Sequence, residues 1–544
     1  MRTAVALLAF VGTSTLLATA FAVVEGALTP LIGLTSLGLA VAIAFVVFSS
    51  IKELPEDLGP RSRAFETCVL VAFALVSLRH FLWLAFERSG VVWTLDPYNY
   101  GDLPLHWTYI RYFANGASFW PENPIFTGRR LQYPMGIDLF TALFVQLGVT
   151  PATVLRLVGL AAAALLAVTL RRWGGGFALA AFLFSGGLGA SVEWKNLFLA
   201  LFVPQRGLLY ALPSGLALLW SWRERLLRSG RGLPDWVEGL LWGILPLFHL
   251  HTFLFVSVIY AVWALAQGAV RRCLASFLWA LLPAAWTTWQ VTDGFAAAAL
   301  VWWKPGWTMG RTNALLFLGR NFTLFLPLAL WAGLRALRLP DREARLTIFP
   351  GLLLFAALFF VMLAPWDWDN TKMMIWCYLL VLPAVGEAVW SLAPWPRAIV
   401  LLAAFLPGGL AVADSLAPRH HYQVYDVQET EAVCAVLSRL SVGGRVATAQ
   451  SFSHPVALCG HPVVAGYGGH LWSHGIRSHD VEERLRSLML GEPGWEETAR
   501  SLEARYLFWG YREEEDFTGS SRPWETGRIP LAEGPWGRLY ALGD

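Results

Sequence analysis

Long apolar runs dominate the first four hundred residues, separated by short charged or proline-rich intervals. Runs at 3–24 and 29–50 form an apolar hairpin, followed by the charged connector 51–64 (IKELPEDLGPRSRA) and a third run at 65–86. Further runs fall near 137–149, 152–170, 174–191, 207–222, 236–252, 254–270, 273–290, 312–335, 347–364, 373–390 and 398–415. At about 20 residues per crossing, they predict a polytopic bundle of roughly 13–15 spans. The apolar piece at 197–204 is shorter and reads either as a crossing, together with its flanks, or as a re-entrant segment. Small residues at Thr19-Ala20-Phe21-Ala22 give the first run a signal-peptide look, but its length favours a retained helix.

One interval breaks the alternation. Residues 94–138 hold Asp96, Asp102, His106, Glu122 and Asp138 among Trp107, Tyr109, Tyr112, Phe119 and Trp120. A plain connector does not need 45 residues, so this stretch reads as a polar site at the water–lipid boundary. The plainer alternative is a surface loop with an interfacial aromatic belt.

The pattern changes again near Pro418. Residues 419–544 carry 12 basic and 17 acidic side chains and no apolar run long enough to span. GRVATAQ, HPVVAGYG, RYLFWGY and GRLYALG read as short strands bounded by Gly and Pro, while 426–440 and 479–504 read as helices. The expected fold class is therefore mainly α, a transmembrane helix bundle with a C-terminal soluble α/β domain. The division is a membrane region at 1–417, with a large external loop at 88–136, and a soluble domain at 418–544. The glycine-rich turn at 465–475 carries His470, Trp472 and His474 but lacks the spacing of a nucleotide-binding loop.

Composition agrees with the pattern. The chain is 56% hydrophobic and 15% charged, with a mean hydropathy of +0.51, against about 25% charged in soluble domains. A net charge of +3 gives no sign of a nucleic-acid partner. Of five cysteines, Cys68, Cys273 and Cys377 lie in or beside apolar runs, and only Cys434 and Cys459 are placed to form a disulfide, in an oxidising space. Arginines mark the cytoplasmic loops: Arg223, Arg225, Arg228 and Arg231; Arg271 and Arg272; Arg335, Arg338, Arg342 and Arg345. Threading between them puts 88–136, 204–206, 249–252, 291–311, 366–372 and the tail outside, if 197–204 crosses. Arg171 and Arg172, expected in a loop between two spans, then fall on the wrong side.

The remaining unusual polar residues share the outer face. They are Gln205 and Arg206 in PQRG, His249 and His251 in FHLHT, and Asp367, Asp369 and Lys372 in WDWDNTK. Ionisable groups at membrane depth are costly and are generally functional or paired. Arg206 reads as a phosphate clamp or as a snorkelling interfacial residue. Asp367, Asp369 and Lys372 read as part of a site or as a salt-bridge cluster that orients a helix. His249 and His251 would diverge on one helix, and no metal-ligand spacing is present.

An external loop bearing acids after an early span, followed by aromatic amphipathic helices, resembles the GT-C superfamily of polytopic glycosyltransferases. The blocks GDLPLHWTYIRYFANG, PENPIFTGRRLQYP, PQRG, FHLHTF and WDWDNTK carry the resemblance, to a bacterial branch of that superfamily. It implies a multi-pass protein of the bacterial inner (plasma) membrane with an extracytoplasmic C-terminal domain. Its substrates would be a polyprenyl-phosphate-sugar donor among the membrane lipids and a glycan, lipid or protein acceptor. Asp102 takes the position of the loop base, with Asp96 as second candidate and His106 one helical turn on. The usual adjacent acid pair is absent, so the resemblance fixes no cofactor and leaves a divalent cation an open question. Arg206 and Lys372 would hold the donor phosphate with His249 or His251, while Trp107 would stack on a sugar. The alternative is a transporter or flippase for a lipid-linked or small polar substrate, though no internal repeat supports it.

Overall fold

The computed structural model describes residues 1–52, 62–189, 191–295, 301–417, 421–440 and 444–543. Helices α1 (Arg2–Glu25) and α2 (Pro30–Ser50) form the expected hairpin. Helix α3 (Arg63–Leu82) follows the charged connector, most of which lies outside the described residues. The polar stretch opens on the hairpin β1 (Phe86–Arg88) and β2 (Val91–Thr94), then carries α4 (Asp102–Ala114) and α5 (Gly136–Gln146). Next come α6 (Pro151–Leu183), α7 (Arg206–Trp222), α8 (Asp235–Phe248), α9 (Leu250–Ala266) and α10 (Val270–Val291). They are followed by β3 (Trp302–Trp303), α11 (Ala314–Phe322), α12 (Phe325–Arg338), α13 (Arg342–Ala357), β4 (Val361–Met362), α14 (Thr371–Trp390) and α15 (Pro394–Ser415).

The chain is mainly α and multi-pass. Among the described residues six helices are long and apolar enough to cross a membrane: α1, α2, α3, α6, α14 with its leading turn from Asp367, and α15. The pair α11–α12, bent by 91° at its break, counts as a seventh if it is one span. Other apolar runs expected as spans form shorter helices, such as α8 with 14 residues and α9 with 17. The run at 137–149 is α5, only 11 residues and about 16 Å long, too short to cross a hydrocarbon core of about 30 Å. Its first turn buries Asp138.

The expected spans at 152–170 and 174–191 merge into α6, which is kinked at Gly174 and Gly175. Gly175 has φ 67° and ψ −159°, a conformation that a residue with a Cβ resists, so the glycine pair sets the break. Arg171 and Arg172 therefore sit inside a helix, not in a plain loop. Arg171 pairs with Glu66 of α3. The Arg172 and Trp173 carbonyls accept from Arg223, whose guanidinium lies 4.3 Å from the Trp173 ring. These arginines thus join the basic end of α7 instead of opposing it. The 197–204 piece is one buried π-helical turn, Phe198–Phe202, packed against Phe73 and Phe81.

The chain divides into two compact units. The first comprises Met1–Leu16, Ser36–Trp83 and Arg156–His420; the second comprises Leu17–Thr35, Leu84–Leu155 and His421–Asp544. The second unit joins the polar stretch to the C-terminal residues. Its elements after the last long helix are β5 (Tyr422–Asp426), α16 (Val427–Leu437), β6 (Arg445–Ala447), α17 (Pro455–Leu458), α18 (Gly468–Ser473), α19 (His479–Leu490), α20 (Trp495–Ser501), β7 (Ala504–Trp509), α21 (Tyr511–Asp516), α22 (Pro523–Gly527), β8 (Ala532–Gly534) and β9 (Gly537–Ala541).

Sheet order there is β6-β7-β9-β8, with β6 parallel to β7 and the other pairings antiparallel. HPVVAGYG, expected as a strand, makes only isolated bridges, Val463 to Val446 and Ala465 to Phe126. Strand β5 pairs with β2, so the tail extends the loop's own sheet. Val433, Leu437, Val446, Val456, Phe508 and Leu539 form the core beside the Cys434–Cys459 disulfide. Of the other cysteines Cys273 and Cys377 are buried, and Cys68 is exposed.

Candidate functional site

The loop acids and histidines belong to the second unit. Asp96 is buried and shapes the chain before α4: its Oδ1 accepts from Tyr98 N at 2.8 Å, and its carbonyl accepts from Asn99 N. Asp102 is the first residue of α4 and is half-buried. His106 follows four residues later on the same helix face. Its Nδ1 lies 2.8 Å from Oδ2 of Asp138, and both side chains are buried.

Residues of the tail fix this group. His470 Nε2 donates to the Gly101 carbonyl at 3.2 Å, just ahead of Asp102. Burial holds the His470 imidazole down to about 4, with the Gly101 hydrogen bond opposing and His106 adding to the depression. The Tyr133 ring lies 4.9 Å from the His474 ring, tilted against it, and 5.4 Å from the Tyr109 ring. The Tyr109 hydroxyl is buried with no hydrogen-bond partner among the described residues. Burial first, then the Asp138 charge, pushes it far up, so it stays protonated.

Trp107 is buried, its ring in an edge-to-face contact with Tyr425 at 5.3 Å. Glu122 serves structure: it accepts from Arg445 at 2.9 Å, and Arg445 also donates to the Asn123 and Val463 carbonyls.

A second cluster forms within the first unit, from residues more than 160 positions apart. Gln205 caps α7 without a side-chain hydrogen bond, and Arg206 is its buried first residue. A Cβ at Gly207 would meet the Phe248 carbonyl at 2.3 Å and His249 Cδ2 at 3.8 Å, so glycine lets the start of α7 press onto the break between α8 and α9. That break is His249, with φ −164° and ψ 102°, three residues after Pro246. The turn there brings the His249 and His251 rings within 5.5 Å, whereas one continuous helix would have sent them apart.

His249 Nδ1 accepts from Thr252 N at 3.2 Å and lies 2.8 Å from the Thr252 hydroxyl, which itself accepts from Trp376 Nε1 at 2.9 Å. The neutral ring therefore carries its hydrogen on Nε2, a buried donor without a hydrogen-bond partner among the described residues. Lys372 lies within electrostatic reach of both histidines and pairs with Asp369 at 2.9 Å. Asp367 pairs instead with Lys304, and its carbonyl accepts from Trp307 Nε1.

This cluster lies at one end of α7, and the arginines lie at the other. The helix has 17 residues, about 25 Å. Past its C-terminus Arg223 reaches the kink of α6, Arg225 pairs with Asp235 and Glu238 of α8, and Arg228 pairs with Glu343 of α13.

The structure thus brings Gln205, Arg206, His249, His251, Asp369 and Lys372 together in one unit. It sets Asp102 and His106 together in the other, with Asp96 and Trp107 in supporting positions. Asp138 and His470 stood out in the sequence only as a loop acid and a glycine-rich-turn histidine, without a place in the site, and Lys304 and Thr252 had none either. Asp138 had a legible signal, an ionisable side chain at the head of an apolar run. No group of three or more His, Cys, Asp or Glu side chains among the described residues is placed to hold a metal ion.

No protein-family model matches the chain, and no curated protein does. Two solved structures are similar to it over most of its length. The arabinofuranosyltransferase AftD from mycobacteria is 15% identical, with a TM-score of 0.47 over 90% of this chain and 41% of that one. The oligosaccharyltransferase of Archaeoglobus fulgidus, solved tethered to an acceptor peptide, is 12% identical, with a TM-score of 0.48 over 89% of this chain and 74% of that one. The chain spans less than half the length of the first.

Proposed function

We propose that the protein is a membrane glycosyltransferase that moves a sugar from a polyprenyl-phosphate-linked donor to an acceptor hydroxyl at the outer face of the membrane. The observation that carries this is the convergence of PQRG, FHLHT and DNTK at the end of α7 opposite the arginines. A buried Arg206, a lysine and an imidazole donor without a hydrogen-bond partner among the described residues suit an anion whose lipid chain stays in the bilayer.

In this reading Arg206, Lys372 and His249 Nε2–H hold the phosphate and stabilise the charge it gains on leaving. Asp102 and His106 form the acid–base group that removes the acceptor proton. A single displacement inverts the anomeric centre.

The arginine end supports a cytoplasmic placement for that side. With α5 too short to cross and α6 kinked beside Arg223, this reading places Arg171 and Arg172 with the inner set and does not need 197–204 to cross. The Cys434–Cys459 disulfide suits an extracytoplasmic tail. In a Cys68→Ser background, a cysteine at exposed Ser118 or Thr518 should react with an impermeant maleimide from outside, and one at exposed Ser229 only after permeabilisation. The reverse pattern would refute the orientation. The function itself is tested with purified protein in nanodiscs given polyprenyl-phosphate-linked sugars. Release of polyprenyl phosphate with glycosylated product is expected; movement of the intact lipid between leaflets without bond cleavage would favour the flippase.

A further inference from the structure

Asp102 and His106 leave open which of them takes the proton, and the surroundings of His106 decide it. Asp138 Oδ2 accepts from Nδ1 at 2.8 Å, so Nδ1 carries a hydrogen and the lone pair of the neutral ring is on Nε2. The pair is buried, at 3% and 1% exposure, and joins the middle of α4 to the first turn of α5. A pair that only tied two helices together would not need a second polar group beside it. Tyr109, three residues further along α4, nonetheless keeps a buried hydroxyl with no hydrogen-bond partner among the described residues, within reach of the Asp138 charge. Among the described residues the titratable groups around the pair include Tyr109 on α4, Tyr133 before α5 and His470 from α18, with Asp102 one turn earlier on α4. An ordinary carboxylate is a weaker base toward a hydroxyl than an imidazole whose far nitrogen is held by a buried acid.

We propose that His106 Nε2 is the proton acceptor in the transfer and that Asp138 is its positioning residue; this rests on the glycosyl-transfer reading above. The acceptor O–H bond breaks as the new O–C bond forms at the anomeric carbon, and the proton passes to Nε2. The bond from that carbon to the phosphate oxygen breaks, and the phosphate leaves with the electron pair. The Asp138 carboxylate balances the imidazolium while it lasts. Asp102, one turn earlier, orients the acceptor hydroxyl.

The test uses the full chain in nanodiscs. Nitrogen NMR of histidine-labelled protein should show a hydrogen on Nδ1 of His106, its signal assigned by loss in His106→Gln. Turnover should fall about 10²-fold or more in His106→Gln and Asp138→Asn, with the donor KM unchanged, and recover in part in Asp138→Glu. His479→Ala, at an exposed histidine on α19 beside Glu483, is the control and should change neither signal nor rate. A neutral His106 with hydrogen on Nε2 would overturn the inference. So would a His106→Gln enzyme with full turnover, or Asp138 variants that lose only thermal stability. A wild-type protein that cleaves no lipid-linked sugar refutes the transfer reading, and the catalytic role with it. An active wild type with an active His106→Gln refutes this inference alone.

Discussion

The candidate clusters of the two units hold their ionisable side chains in contrasting ways. In the first, cations and an imidazole donor stand at helix starts and breaks, where Arg206 opens α7 and His249 separates α8 from α9. In the second, carboxylates and imidazoles stand on neighbouring helices, with Asp138 bonded to His106 and His470 bonded to the backbone beside Asp102. The first arrangement suits an incoming anion; the second suits a proton that moves and returns. On the proposed function, binding and chemistry fall to separate parts of the chain, so their losses should separate kinetically.

The sharpest way to break that contrast is to remove the acid–base pair. Asp102→Asn combined with His106→Gln should lower kcat by about 10²–10⁴-fold and leave the donor KM within about twofold. A change mainly in KM would mean the second unit binds the donor.

The converse substitution has a smaller expected effect. Arg206→Ala should weaken donor binding by about 10- to 10²-fold, in line with about 1.5–3 kcal/mol for a charge-assisted hydrogen bond, as read by titration of the lipid phosphate. Arg228→Ala, whose partners Glu224 and Glu343 are at the opposite end of α7, should leave binding unchanged. Equal losses in both variants would reduce the Arg206 effect to general destabilisation.

The sequence made some of this legible. Apolar periodicity and length announced the long helices, and strand composition announced β6, β7 and β9. PQRG, FHLHT and WDWDNTK stood out because charge is rare among apolar runs. What stayed hidden depended on distance or local geometry. Pairing of β2 with β5 joins residues more than 320 apart, and no local pattern reports it. The run at 137–149 looked apolar enough to span, yet it ends after three turns and hides Asp138 against His106. Arg171 and Arg172 read as a loop because they are a charged pair just ahead of three glycines; the helix instead runs through them and kinks two residues later. His249 and His251 were expected to diverge, and only the break after Pro246 turns their rings toward each other.

The smallest effect sharpens the second half of the contrast through pH. His470 is held at about 4 by burial, against 6.5 for an ordinary histidine. Its folded form therefore binds a proton less readily than its unfolded form. Between about pH 6.5 and 4 the unfolded state carries the extra proton, so stability falls as pH falls through that window and levels off below it. Near neutrality neither state is protonated, and the penalty vanishes. The interval corresponds to at most about 3 kcal/mol, and solvent reaching the partly covered ring will reduce it. Hydrogen exchange at α4 should report the loss, because the His470 bond holds the carbonyl of Gly101 at that helix's start. His470→Gln retains a donor for Gly101 but cannot titrate here, so α4 protection should become flatter between pH 6.5 and 4 than in the wild type. His461, also depressed by burial, contributes in the same direction and should leave a residual slope in the variant. Identical slopes in the two proteins would show that His470 does not hold the start of α4, and that the tail merely covers the acid–base group without fixing it.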